Sequence, residues 1–451
     1  MSLPSSPPDV AAGRLTQAEY AHNFADAHPP LTPVQALLEA ERCYYCFDAP
    51  CRTACPTGID IPSFIARIAQ GNLRGAARTI LEDNILGGMC ARVCPTEVLC
   101  EQACVREAQE HKPVEIGALQ RHATDAYFAK PGAPLFSRAA PSGKRVAVVG
   151  AGPAGLACAH RLAMLGHAVT LFDARPKLGG LNEYGLATYK TVDGFAQKEV
   201  DWLLAIGGIE VKANHCLGGD MPLDALARDY DAVFLGLGLA GVNALGLGPQ
   251  AEAGSRAAVD FIAELRQAES PAAVPVGRRV LVIGGGMTAV DAGVQSRLLG
   301  AEDVSIVYRR GPQAMPASAY EQQWAQRNGV TIRHWAAPKQ LLLDGGRVSG
   351  MRFVRTRLDG KKLVETGESF DLQADVVLRA IGQSFVPEPI ASVGSAIALQ
   401  DGRIATDADG KTSHPKVWAG GDCRYGGRDL TVEAVEHGKV AAIAIDRTLR
   451  T

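Results

Sequence analysis

Two cysteine blocks, Cys43-x2-Cys46-x4-Cys51-x3-Cys55-Pro56 and Cys90-x3-Cys94-Pro95-x4-Cys100-x3-Cys104, carry eight of the 11 cysteines of this 451-residue chain. Thiolates at such spacing hold iron–sulfur clusters, and where the chain turns away at a Cys-Pro step the last cysteine of a run ligates a second cluster. Three ligands of each block would then hold one cluster while the fourth crosses over. The chemistry implied is one-electron transfer. Disulfides fit poorly, because residues 1–40 show no basic segment followed by an apolar one and nothing else suggests export. Structural zinc fits poorly too, because it asks for C-x2-C pairs or thiolates with imidazoles, and the second block has neither.

Clusters need a frame. From Thr32 to about Lys130 the stretches VQALLEAERC, IPSFIARIAQGNLRGAARTILED and EIGALQRHATDAYFA place apolar residues at helical spacing, which predicts a small helical module. Residues 1–30, rich in Pro, Ser and Ala, are expected to run loosely over the surface. The Pro-, Gly- and Ser-rich stretch KPGAPLFSRAAPSG then separates the helical module from the rest. Cys158, Cys216 and Cys423 lie apart in apolar settings and read as ordinary buried thiols.

At Lys144 the pattern changes to strand, glycine turn, helix and strand. Gly150, Gly152 and Gly155 form G-x-G-x-x-G directly after the apolar strand Val146 to Val149, and Asp173 ends the next strand. Glycines there let the backbone approach a pyrophosphate at a helix N-terminus, and the acid can accept from a ribose. A second copy follows Arg278, with Gly284, Gly286 and Ala289 in the turn and Arg309 and Arg310 after the second strand in place of an acid. Arginines there can pair a 2′-phosphate, which favours NADPH over NADH; two solvated loop arginines are the alternative. The apolar strands in YDAVFLGLGL and ADVVLRAIGQ bracket this second copy as crossings between two dinucleotide domains.

The expected fold class is α/β: two Rossmann-like dinucleotide-binding domains, the NAD domain inserted in the FAD domain, preceded by a small α-helical iron–sulfur domain. The expected boundaries are 1–140 for the cluster domain, 141–264 and 374–451 for the two parts of the FAD domain, and 265–373 for the NAD(P)H domain. Hydrophobic residues at 47% and 49 glycines suit such a protein. A net charge of −2 gives no field that would gather nucleic acid or an anionic membrane. No apolar run approaches the roughly 20 residues that span a bilayer, so the expected compartment is the cytosol.

Residues 144–451 resemble the flavoprotein family with two dinucleotide-binding domains that includes glutamate synthase small subunits, adrenodoxin reductases and thioredoxin reductases. The resemblance matches Gly420, Gly421 and Asp422 to the FAD-binding motif and Thr431 and Val432 to the helix start near the flavin, and Gly180 is grouped with the cofactor-binding residues. Thioredoxin reductases carry a redox C-x2-C in the nucleotide domain, and this chain has no cysteine between Cys216 and Cys423. The front end narrows the resemblance. Five residues separate Cys94 from Cys100, where glutamate synthase small subunits usually have three. That spacing, with DAPCRTACPTGIDIPSFI and EIGALQ, looks like the N-terminal half of dihydropyrimidine dehydrogenase, whose stand-alone bacterial version is a flavoprotein subunit.

This resemblance implies one [4Fe–4S] cluster on Cys43, Cys46, Cys51 and Cys104, and another on Cys55, Cys94, Cys100 and Gln120, with Cys90 a spare thiol. It implies FAD, NADPH or NADH, and a partner subunit carrying FMN and iron–sulfur centres that reduces uracil or thymine. No catalytic residue is assigned. Lys190 lies where relatives carry a basic residue near the flavin, and it reads equally as a structural or solvated lysine. The competing readings are a glutamate synthase small subunit or related ferredoxin-linked oxidoreductase, and a scaffold that has lost redox function.

Overall fold

The computed structural model describes residues 9–130, 132–219, 221–391 and 397–451. They form two compact units, each built from several chain segments.

One unit takes in 28–183, 193–240 and 385–451. Its sheet is parallel, in the order Val417–Ala419, Ala232–Leu235, Arg145–Val149, Ala168–Phe172, Ile209–Lys212. Arg145–Val149 is a β-branched run with four consecutive residues buried, as a strand covered on both faces must be. It lies between the strand that follows it and a strand that comes later, so the turn at its end opens at the switch point of the sheet. The helices Pro153–Met164 and Thr431–Arg450 pack on each other.

The cysteine-bearing helices belong to this same unit. Pro33–Ala40 is capped by a Thr32/Gln35 box, Ile61–Ala69 by Asp60 and Leu73–Asp83 by Asn72. Ile85 and Leu86 share one buried cluster with Val146, Val148 and Leu203, so the helical module is rooted in the core of the sheet.

The other unit takes in 9–27, 184–192 and 241–384. Its parallel sheet runs Thr331–Arg333, Asp303–Val307, Arg279–Gly284, Val376–Ala380, Arg256–Ala257. An antiparallel meander, Ala336–Asp344, Arg347–Asp359 and Lys362–Gln373, is added to it. This segment is wider than the expected 265–373 at both ends. Val376–Ala380 pairs with Arg279–Gly284 over five residues, so the strand serves this sheet, and the chain leaves the unit after Ser384.

The N-terminal expectation is corrected from residue 9 onward. Val10–Ala11 pairs antiparallel with Val276–Gly277, and a Thr16/Glu19 capping box starts the helix Gln17–Asn23. Tyr20 is 2% exposed in the core around Val280 and Val290. One buried aromatic and a good cap suffice to dock a polar segment. Among the described residues no helix is long and apolar enough to cross a membrane.

Candidate functional site

Three cysteines of the first block and Cys104 surround one cavity. Cys43, Cys46, Cys51 and Cys104 line it, together with Tyr44, Ile61, Ile65 and Arg106. The loop from Cys43 to Cys46 carries Tyr45 in the left-handed region, and the short helix Pro50–Ala54 places Cys51. Burial pushes the Cys51 thiol up to about 12, with Cys43 nearby adding to the shift. Burial also raises Cys43. Thiols crowded together in an apolar wall are poor thiolates until cations join them, and metal binding there releases protons.

A second cavity is lined by Cys55, Cys94, Cys100 and Gln120, and also by Cys90, Asn84, Thr96 and Val432. Cys90 and Cys94 lie one turn apart on and at the end of the helix Gly87–Val93. The Cys94 thiol is raised first by its hydrogen bond with Cys90, then by burial. Gln120, on Ile116–Ala129, donates Nε2 to Gly87 O at 2.7 Å, which leaves its carboxamide oxygen for other use. Cys55 Sγ lies 3.3 Å from Thr57 Oγ1.

The cysteine spacing thus sorts into the two groups that the crossover logic requires, four thiols on one cavity and Cys55 with the second block on the other. Among the described residues no three His, Cys, Asp or Glu side chains converge as a single ion would need. Donors spread around a cavity suit a multinuclear cluster whose corners are separate irons, so the residues present fit the group. Cys90 shares the second cavity, which gives it four thiols besides Gln120.

The glycine turn of the same unit is fixed by sterics. At Gly150, with φ +95°, a Cβ would lie 2.2 Å from Gly236 O, and at Gly155 it would lie 1.8 Å from Gly150 O. Gly152 instead has only Gly180 Cα within 4 Å, at 3.8 Å, so the backbone there faces open space suited to a phosphate. Asp173 accepts from Ala151 N at 2.7 Å and from Arg175 N at 2.8 Å, which ties the second strand to the turn.

Gly421, with φ +78°, opens the short turn that carries Asp422. Burial, reinforced by Asp429, pushes the Asp422 carboxyl up to about 7. Thr431 begins the long helix and donates Oγ1 to Asn182 Oδ1 at 2.8 Å. Val432, beside it, is 2% exposed and forms part of the wall of the second cysteine cavity. Residues read from sequence as a flavin site and as a cluster site therefore meet at one side chain. That adjacency had no signal in the spacing.

The second glycine turn repeats the design in the other unit. At Gly284, with φ +150°, a Cβ would lie 2.1 Å from Ala380 O; at Gly286 nothing lies within 4 Å; Ala289 is buried. Arg309 and Arg310 are exposed after the strand Asp303–Val307. Lys190 is buried and pairs with Asp291 Oδ1 and Glu321 Oε1, each at 2.8 Å. Burial lowers its affinity for the proton, the two carboxylates outweigh that, and its pKa ends above the ordinary lysine value. A lysine so held is a structural cation of this unit.

The model of the pyridine nucleotide-disulphide oxidoreductase family matches residues 144–438, and that of dihydropyrimidine dehydrogenase domain II, 4Fe-4S cluster, matches residues 20–131. The glutamate synthase [NADPH] small chain of Escherichia coli K12 is 35% identical over 444 residues, covering 94% of this chain and 93% of the relative. The NAD-dependent dihydropyrimidine dehydrogenase subunit PreT of Salmonella typhimurium is 35% identical over 428 residues, covering 95% and 98%. The solved structure of FprA from Mycobacterium tuberculosis in complex with NADPH shares the fold at 20% identity and a TM-score of 0.57, covering 68% of this chain and 84% of that one. By these matches the chain belongs to the pyridine nucleotide-disulphide oxidoreductase family and is an NAD(P)H-dependent flavin and iron–sulfur oxidoreductase.

Proposed function

We propose that this chain is the electron-input subunit of a heteromeric dihydropyrimidine dehydrogenase working in the cytoplasm, with FAD and two [4Fe–4S] clusters. In this reading 265–373 and its flanks bind NAD(P)H, with a lean to NADPH from Arg309 and Arg310. The segments 141–183, 193–240 and 385–451 bind FAD, and 28–140 supplies the clusters. When bound, the flavin accepts a hydride and the clusters pass electrons singly to a partner subunit with FMN, which reduces uracil or thymine to the 5,6-dihydropyrimidine.

The chain's own residues position the groups. Gly150, Gly152, Gly155 and Gly180 would cradle one pyrophosphate and Gly284, Gly286 and Ala289 the other, while Asp173 holds the first turn in shape. Asp422, Gly421 and the helix start at Thr431 would face the flavin. Cys43, Cys46, Cys51 and Cys104 would hold one cluster; Cys55, Cys94, Cys100 and Gln120 would hold the other. The observation that carries the reading is Val432, which serves the helix start and the second cysteine cavity at once.

The PreT relative and the five-residue gap from Cys94 to Cys100 favour the pyrimidine pathway. The equal identity of the glutamate synthase small chain supports a second reading with a different partner. An anaerobic pull-down of the chain, with uracil-dependent NAD(P)H oxidation measured on the eluate, separates them. A stoichiometric FMN protein with uracil turnover supports the proposal. A glutamate synthase large subunit, or a ferredoxin in place of a fixed partner, overturns it.

A further inference from the structure

Asn84 joins two helices of the cysteine module. Its backbone N–H closes Leu73–Asp83 on Ile80 O at 2.9 Å, and its Oδ1 accepts from Leu86 N, at the start of Gly87–Val93, at 3.1 Å. The side chain is fully buried and lines the cavity of Cys55, Cys94 and Cys100. Its Nδ2 has no hydrogen-bond partner.

The amide cannot be turned over to relieve this, because Nδ2 would then face the Leu86 N–H, donor against donor. A buried donor left unsatisfied is costly, and such groups in native interiors mark a function or an absent acceptor. The cavity's other amide, Gln120, already directs Nε2 to Gly87 O. The cavity that Asn84 shares is also lined by Cys55, Cys90, Cys94 and Cys100, whose sulfurs are soft acceptors.

We infer that Asn84 Nδ2 donates a hydrogen bond to a sulfur of the cluster in this cavity, and that this bond raises the cluster's reduction potential. The inference rests on the reading that the cavity holds a cluster. An N–H···S bond stabilises the added negative charge of the reduced state more than the oxidised state, so removing it makes reduction harder. Asn84 is a positioning and tuning residue; it touches neither nicotinamide nor flavin.

The test is an anaerobic reductive titration of the iron-loaded full chain, wild type against Asn84→Leu, followed by EPR with iron and sulfide content measured in parallel. With iron content equal, the variant should show about a tenfold lower reduced-to-oxidised ratio at the wild-type midpoint, which is about 59 mV for one electron. Full iron and an unmoved midpoint overturn the inference. Should the variant lose iron, pulsed EPR on wild-type protein labelled with 15N-asparagine decides: a 15N coupling on the reduced cluster supports the bond, and no coupling overturns it. Wild-type protein that takes up no iron and shows no iron–sulfur EPR signal removes the cluster reading itself. That failure shows in the untouched protein and is distinct from a failure of Asn84.

Discussion

The two cysteine cavities each gather four thiols, yet their walls differ. The outer one is edged by side chains in solvent: Tyr44, Tyr45 and Phe47 are 51%, 42% and 106% exposed, and Arg106 stacks on Tyr44 at 4.1 Å. The inner one has amides and a valine from the long C-terminal helix in its wall. Its ligand-bearing helix is also clamped. Glu199 accepts from Gly88 N at 2.7 Å, and the Arg92 guanidinium lies 3.5 Å over the Phe195 ring. The contrast teaches that one cysteine set is walled in part by the helix Thr431–Arg450 while the other is edged by exposed aromatic side chains, as a relay with an inner and an outer station would need.

The largest effect should come from removing a ligand at either station. Cys94→Ala and Cys51→Ala should each lose about half of the iron and lower partner-dependent uracil reduction by at least about 100-fold. NAD(P)H–dye activity should fall far less, and assays of both activities against iron content check this. Retained uracil turnover in Cys94→Ala would remove the inner cavity from the path.

Next is the inner ligand set itself. Gln120→Ala should lose the inner cluster's EPR signal or broaden it, whereas Cys90→Ser should retain full iron. The reverse pattern would make Cys90 the fourth ligand.

Glu199 offers a pH test of the inner clamp. Burial pushes its carboxyl up to about 8 from an ordinary 4.5, against the pull of the Gly88 and Met89 N–H groups and of Arg92. A carboxyl with its folded pKa above its unfolded one stabilises the fold fully below 4.5 and loses that contribution as the pH rises through 8. The wild-type melting temperature should therefore fall relative to Glu199→Gln between about pH 6 and 8. A constant difference would show that Glu199 does not titrate in that window.

The smallest effect belongs to the outer rim. Phe47→Ser removes a side chain that buries nothing, so the melting temperature should move by less than about 2 °C.

The cysteine grouping and both glycine turns were legible because each is fixed by local chemistry: ligand spacing, and positions where a Cβ meets a backbone oxygen. The ends of the inserted unit were less so. An apolar strand such as Val376–Ala380 suits either sheet, and only its register with Arg279–Gly284 decides. The meander through 336–373 was hidden because Lys362–Gln373 is mostly polar and exposed on both faces. Tyr20 gave only a weak sign of its burial, a short stripe with Phe24 and Ala27 in a segment otherwise polar. Asn84 follows a helix and reads as an ordinary terminator; that its amide is buried in the wall of a cysteine cavity depends on Gly87–Val93 folding back, which no spacing encodes. Lys190 needed Asp291 and Glu321, about 100 and 130 residues away, to be read as a structural cation.

Val432 carries one more consequence, concerning the order in which the protein is made. The wall it closes around Cys55, Cys94 and Cys100 is supplied 332 residues after Cys100. At translation rates of about 5–20 residues per second, the inner cysteines wait roughly 20–60 seconds on the ribosome with that side of their cavity unbuilt. The outer set, whose lining ends at Ile116, has its whole wall almost at once. The two cysteine sets therefore gain their walls on different schedules, the inner one only when the last helix arrives.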